Sequence, residues 1–397
     1  MAQGTAHVMK IAHVINYFQP QLGYQETFLA KEQSRSGHDV SVVTSDRYYP
    51  FPDYDETYSG LLGTRVCGSG KRVEEGITVF RLPIAFEFKY RVWLQGLEET
   101  LLELQPELVI VHGLLANAFR AAKLRNNGLQ FRLIVDEHLI NLVRQENILA
   151  SCYNAFKKHR LKRHLHSVDK FVGVTQETCD ILRTDFGIPP KMVAYIPLGA
   201  DSDLFAFDED QRRKIRGQYQ LQSDDVLLLY TGKIAPSKGV GTLVRAFNQL
   251  NGPTAVYFLL LGNGSEAYRS SLMQVVDERK RQRMIFSDFV PNRQLPPYYS
   301  GSDLCAWGDT ISVSMIEAMS CGRPIVGCNI PAFSERIEYQ NGLSYEAGDH
   351  QDLSRKLQRL IDDPALRRTM GQRGRAFVED QFSWPRISER FLEVGTE

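Results

Sequence analysis

Between Gly308 and Gly327 the chain reads GDTISVSMIEAMSCGRPIVG, with two carboxylates, Asp309 and Glu317, eight positions apart. Ser314-x-x-Glu317 has the spacing of a capping box, in which the Ser hydroxyl and the Glu carboxylate satisfy each other's backbone amides. Gly322 holds the place of a helix-ending glycine, Pro324 follows it, and Ile325-Val326-Gly327 reads as a buried strand. The segment is therefore loop, short helix and return to a sheet. Exposed amides at such a helix start favour anions, phosphate above all. Glu317 has two readings at this point: a helix cap, or an acid that holds a ligand beside an anion site.

A second group of chemistry-bearing residues lies upstream. LLLYTGK ends in Gly232-Lys233, and IAPSKGVGTLVRAF follows, with Lys238-Gly239 opening an amphipathic helix. Two ammonium groups at a strand-to-helix junction can neutralise a diphosphate, and the glycines let backbone approach it. This is not a P-loop, because G-x-x-x-x-G-K-[ST] is absent and the lysines fall in the wrong order. LLLGNG sets Gly262-Asn263-Gly264 after a further buried run, a second tight turn of the same kind. Taken singly, each also reads as an ordinary surface loop.

The elements that must position these residues are legible as apolar runs. In the first half they are KIAHVIN (10–16), DVSVVTS (39–45), ITVFRLP (77–83), LVIVHG (108–113), RLIVDEH (132–138), KFVGVT (170–175) and MVAYIPLG (192–199). The pattern restarts with DVLLLYTGK (225–233), AVYFLLLGNG (255–264), MIFSDFV (284–290), DLCAW (303–307) and RPIVGC (323–328). Continuous apolar strands alternating with helices predict an α/β protein with parallel sheets covered on both faces. The charged stretch 201–225 reads as a connection, so two doubly wound domains facing each other across a cleft are expected. Ligands of such sheets sit beyond the carboxyl ends of the strands.

Composition narrows the function. Lys+Arg and Asp+Glu both number 47, and this balance argues against a general nucleic-acid binder. The six cysteines, Cys67, Cys152, Cys179, Cys305, Cys321 and Cys328, are scattered without a C-x-x-C pair, which points to free thiols in a reducing compartment. The N-terminus runs into a strand without a signal-peptide core, and no run of about 18 apolar residues occurs, so a cytoplasmic location is expected. The D-x-D strings at 53–55, 201–203 and 208–210 fall in loops and the connection and are not read as a metal site.

In combination these segments resemble the family 4 retaining glycosyltransferases of GT-B fold. The residues that carry the resemblance are Gly232-Lys233…Lys238-Gly239, Gly262-Asn263-Gly264, and Asp309…Glu317 running into Glu317-Ala318-Met319…Gly322…Pro324. The tail with Phe382-Ser383-Trp384 is similar to the family's closing helices. In the first half Pro20-x-x-Gly23, His112, His138 and PLGAD (197–201) agree, so the resemblance spans nearly the whole chain. It implies a GT-B architecture of two Rossmann-like domains, residues 1–200 on the acceptor side and 201–383 binding the nucleotide sugar, with 384–397 crossing back to the first.

The resemblance also implies roles. Glu317 would hold the ribose hydroxyls, Asp309 would contact the donor sugar, and the amides of Ile311, Ser312, Val313 and Ser314 would cradle the diphosphate with Lys233 and Lys238. Gly232, Gly262, Asn263 and Val290 would line the donor site, Gly23 would face the diphosphate from the first domain, and His138 would contact the sugar, with His112 the alternative. Four departures from the family pattern stand out. Asp309 replaces the usual Glu, Ser312 stands where the family often has Gly, Lys233 replaces Arg and so loses a bidentate fork, and Tyr24 replaces a second Gly. The implied activity is transfer from a nucleoside-diphosphate sugar to a hydroxyl of a saccharide or lipid-linked acceptor, as in polysaccharide or glycolipid assembly, without metal or cofactor. A sugar-nucleotide epimerase and a non-catalytic binding relative are the rival readings.

Two further stretches carry expectations. KKHRLKRHLH (157–166) gathers Lys157, Lys158, Arg160, Lys162 and Arg163 on a predicted helix. It reads either as a patch for an anionic membrane surface, placing the protein peripherally on the inner face, or as a solvated helix face. SDRYYPFPDYDETYSGLLG (45–63) reads as an aromatic surface loop, with a place over the acceptor site as the functional alternative.

Overall fold

The structure is a computed structural model that describes residues 7–88, 91–114, 116–138, 158–159 and 161–396. The chain divides into two compact units. One comprises Met1–Pro197 with Ile387–Glu397, the other Leu198–Arg386.

The first unit contains β1 (Lys10–Val14), β2 (Asp39–Ser45), β3 (Gly70–Glu74), β4 (Ile77–Leu82), β5 (Ile84–Phe88), β6 (Arg91–Leu94), β7 (Leu108–His112), β8 (Arg132–Glu137), β9 (Lys170–Gly173) and β10 (Val193–Tyr195). Eight of these form one sheet in the order β10-β9-β8-β7-β1-β2-β4-β3. All its pairings are parallel except β3 on β4. The central strands are apolar on both faces because helices cover both; Leu108 through Val111 are all buried. β3, with the sequence GKRVE, has no such pattern. It is an edge strand with Val73 open to solvent, and its polarity suits an unpaired margin. β5 and β6 form a separate hairpin that buries Val92 and Leu94 and leaves Phe86 stacked on Trp93 outside.

The second unit contains β11 (Val226–Thr231), β12 (Val256–Leu261), β13 (Met284–Ser287), β14 (Leu304–Ala306), β15 (Ile325–Cys328) and β16 (Gly342–Tyr345). Their order is β13-β12-β11-β14-β15-β16, all parallel. The order reverses between β11 and β14 here, and between β1 and β7 in the first unit. Such switch points open a crevice at the strand carboxyl ends.

Residues 201–225 are not a loose connection. Asp208 caps a helix, Glu209–Gln218, through the Gln211 amide. Arg212 and Arg216 of that helix pair with Asp303 at 2.7 and 3.0 Å, which locks it onto the second unit. Its charge, which reads as solvation in the sequence, is spent on buried partners. The closing helix, Trp384–Thr396, ends on the first unit's sheet: a Cβ at Gly395 would stand 3.1 Å from Leu108, and Arg132 donates to the Thr396 carbonyl at 3.4 Å.

Candidate functional site

In the second unit, the carboxyl ends of three neighbouring strands bring the predicted residues together. β11 delivers Gly232-Lys233, β12 delivers Gly262-Asn263, and β14 delivers Gly308-Asp309. The turns interlock. Gly262 has φ +147°, and a Cβ there would lie 2.0 Å from the Gly232 carbonyl oxygen, so no other residue fits. The Ile234 amide donates to the Asn263 carbonyl at 2.6 Å, tying the first turn to the second. Lys238-Gly239 folds onto Gly308-Asp309 so tightly that a Cβ at Gly239 would stand 2.8 Å from Asp309 Oδ2.

Lys238 is half-buried and Lys233 exposed. Burial, then the neighbouring Lys233 charge, lowers the Lys238 pKa. Among the described residues neither ammonium has a carboxylate partner. Two such cations, close enough to repel, can be neutralised together by a doubly charged anion. The amides of Ile311, Ser312 and Val313 likewise find no acceptor among the described residues, and the Ser314 amide reaches only Ser312 Oγ at 3.3 Å. Asp309 Oδ1 is held by Tyr345 Oη at 3.3 Å and the Gly348 amide at 3.4 Å.

The capping box does not form. The helix runs Ser314–Ser320 with Val313 at its N-cap and no side-chain cap. Ser314 thus sits one position inside the helix, where its hydroxyl meets Ser312 Oγ at 2.6 Å. Glu317 is freed for other partners: Asn292 Nδ2 donates to Oε1 at 2.6 Å and Tyr299 Oη to Oε2 at 3.0 Å. The carboxyl is 5% exposed, and burial raises its pKa to about 7 against those two hydrogen bonds. Asn292 and Tyr299 carry no local signal in the sequence; they reach Glu317 only through the tertiary fold. Val290, two residues before Asn292, packs half-buried on the core.

In the first unit Gly23 takes a left-handed turn at φ 74° ahead of the helix Gln25–Arg35. The two candidate histidines share one partner. Asp136 Oδ2, fully buried at the end of β8, accepts from His112 Nδ1 at 3.0 Å, from His138 Nε2 at 3.4 Å and from Gln25 Nε2 at 3.1 Å. His112 Nε2 lies 3.0 Å from His13 Nδ1, and His13 Nε2 lies 2.7 Å from Gln33 Oε1. Burial, then the His112 charge, drives the His13 pKa down to about 3, so this imidazole is neutral. With its single proton directed at Gln33, His13 leaves Nδ1 as an acceptor toward His112 Nε2. Burial opposes a charged His138, but the Asp136 hydrogen bond and charge prevail and raise its pKa. His138 is the more open of the pair, its side chain 44% exposed against 6% for His112. Asp136 and His13 are the members that sequence reading missed, since both look like ordinary strand residues.

In the basic cluster, Lys157 and Arg160 lie outside the described residues, and Lys162 and Arg163 are exposed. No described helix is long and apolar enough to cross a membrane. The aromatic loop is ordered around buried Tyr48, Tyr54 and Leu62, with Phe51 stacked on Tyr58.

Two Rossmann-like α/β units in one chain are the hallmark of the GT-B fold. Residues 211–377 match the glycosyl transferases group 1 family and residues 27–204 match glycosyltransferase family 4, so the chain belongs to the family 4 glycosyltransferases of GT-B fold. It is similar to the GDP-mannose-dependent alpha-(1-6)-phosphatidylinositol monomannoside mannosyltransferase of Mycolicibacterium smegmatis, 23% identical over 59% of this chain and 64% of that one. The chain spans less than two thirds of the curated relatives it matches most strongly. Among solved structures, sucrose-phosphate synthase from Thermosynechococcus elongatus superposes with a TM-score of 0.71 at 21% identity, over 97% of this chain and 98% of that one. Anabaena HepE in complex with UDP gives 0.72 at 18% identity, over 97% and 99%.

Proposed function

We propose that the chain is a retaining glycosyltransferase that moves a hexosyl group from a nucleoside-diphosphate sugar to a hydroxyl of a saccharide or lipid-linked acceptor. The observation that carries this reading is the pair of unpartnered lysines, Lys233 and Lys238, set beside unpartnered backbone amides at the switch point of the second sheet. The donor's anomeric carbon–oxygen bond breaks toward the diphosphate, the acceptor oxygen bonds to that carbon from the same face, and its proton passes to the departing phosphate. The lysines stabilise the charge that develops on the leaving group, a kind of contact worth about 3–4 kcal/mol in a water-excluded site. Glu317 holds the ribose, and Asp309 contacts the sugar with His138. No metal or cofactor enters this scheme. The glycolipid named for the M. smegmatis relative supports a lipid-linked acceptor.

The test is transfer and hydrolysis of nucleoside-diphosphate sugars, with products resolved so that a free epimerised donor would be seen. Lys233→Ala/Lys238→Ala should lower turnover about a hundredfold or more while the melting temperature holds. An unchanged rate removes the proposed site, and accumulation of epimerised donor replaces transfer by epimerisation. A peripheral location on an anionic membrane, reached through Lys158, Lys162 and Arg163, belongs to the same reading. It requires sedimentation with acidic vesicles at low salt that is lost at high salt.

A further inference from the structure

A cavity of about 800 Å³ opens in the second unit at the amino-terminal ends of β14 and β15, beside Asp303, Arg323 and Pro324. Lys233 and Asp309 stand at the carboxyl ends of strands in the same parallel sheet, so the cavity lies at the opposite edge and is separate from the candidate donor site.

Its charge is unbalanced. Arg212, Arg323, Arg367, Arg368 and Arg375 reach its wall, against Asp303 and Glu379. Asp303 is already shared by Arg212 and Arg216, and Glu379 is taken by Arg375 at 2.6 Å. Arg323, Arg367 and Arg368 therefore have no carboxylate partner among the described residues. Arg323 and Arg212 both donate to the Ser302 carbonyl at 2.9 Å, which sets two guanidinium groups side by side. Burial, then this Arg212 charge, lowers the Arg323 pKa.

Part of the cluster has a structural explanation. Arg323 Nε donates to the Cys321 carbonyl at 3.1 Å, and Arg367 Nη1 donates to the carbonyls of Leu360 and Ile361 at 2.5 and 2.7 Å, capping helix ends. These bonds leave Arg323 Nη2, Arg367 Nε and Nη2, and the whole Arg368 head without an acceptor in the chain. Arg368 is exposed and Arg323 and Arg367 are half-buried, the Arg323 guanidinium lying over the Phe207 ring at 4.8 Å. Like charges gathered in a concavity without counter-ions are costly, and an anion that accepts several guanidinium N–H groups at once relieves that cost.

We propose that this cavity is a second anion site, for a soluble small molecule carrying a phosphate or diphosphate group, held by Arg323, Arg367 and Arg368. Its volume is that of a small-metabolite pocket rather than of a lone phosphate.

The test titrates inorganic pyrophosphate calorimetrically into the full chain carrying Lys233→Ala/Lys238→Ala, which silences the proposed donor site. The same titration is run after adding Arg367→Ser/Arg368→Ser. Saturable binding is expected in the first protein, with affinity at least about tenfold weaker in the second. Arg367 also caps a helix, so Arg368→Glu alone, at an exposed position, repeats the comparison and should weaken binding as well. Equal affinity with and without the arginine changes, or no saturable binding in the lysine variant, would overturn the proposal. Loss of all pyrophosphate binding on the lysine change alone would do the same while leaving the donor site intact. If the lysine change leaves wild-type binding unaltered, it is the donor-site reading that fails.

Discussion

Tyr299 donates its hydroxyl to Glu317 Oε2 at 3.0 Å, the two side chains meeting in the core behind the start of the Ser314–Ser320 helix. This carboxyl carries a raised pKa, from an ordinary 4.5 to about 7, because burial outweighs the donors around it. The folded protein thus holds a proton that the unfolded chain releases. The stability tied to that proton is fully present below 4.5 and is lost as pH rises through about 7. Glu317→Gln keeps the shape and removes the charge. Its stability relative to wild type should therefore improve between about pH 5.5 and pH 8.5, by about 2 kcal/mol. Denaturant melts at the two pH values measure this, and a constant difference would show that the carboxylate is already ionised at the lower pH.

Asp309 and Glu317 should separate kinetically. Glu317 is assigned a contact that persists from ground state to transition state, so Glu317→Gln should weaken nucleoside-diphosphate binding about tenfold. Asp309→Asn should instead cut turnover by about tenfold to a hundredfold and leave diphosphate affinity within about threefold. Titrations with free diphosphate beside steady-state kinetics decide the matter; equal affinity losses would mean that both acids merely brace the loop.

Asp136→Asn should act through the histidines. Raised by Asp136, the His138 pKa gives a stabilisation that is fully present below the histidine's ordinary 6.5 and fades as pH climbs past the folded value. The variant's stability deficit should accordingly be larger near pH 5.5 than near pH 8.5. The imidazole of His138, followed by NMR, should titrate at lower pH in the variant, although Glu137 and Glu26 remain beside it. An unmoved titration would mean that the 3.4 Å contact does not order this side chain.

Gly262→Ala should be among the most destabilising single changes in the second unit. It combines a left-handed φ with a 2.0 Å clash against the Gly232 backbone, and strain of this kind costs about 1–3 kcal/mol before any clash is counted. Gly241→Ala is the control. Its Cβ would meet the Arg245 guanidinium at 3.5 Å and the Tyr268 hydroxyl at 3.7 Å, both ordinary contacts, and a helical alanine gains up to about 1 kcal/mol over glycine. Melting temperatures of the two variants should move in opposite directions.

Much of this molecule is legible in one dimension. Twelve apolar runs foretell twelve of the thirteen parallel strands of the two sheets, because a strand covered on two faces has to be apolar throughout. The glycines and lysines of the second unit are legible because a tight turn restricts residue type locally and paired cations stand out at a strand end. β3, β5, β6 and β16 escape notice, since edge and hairpin strands are half-polar and carry no such run. The helix Glu209–Gln218 is mistaken for a connection because its arginines look solvated until Asp303 arrives from about 90 residues away.

What the chain order could not supply is who pairs with whom. Ser314-x-x-Glu317 has the spacing of a capping box, yet Glu317 is captured by Asn292 and Tyr299. His112 and His138 read as competitors for one role, yet a single buried carboxylate holds both. The five arginines of the cavity come from three separate stretches of sequence and have no motif in common. Local spacing dictates what one turn of backbone can satisfy. The partner of a buried charge, by contrast, is chosen by whichever strand or helix the topology lays against it, and that choice exists only once the sheets have formed.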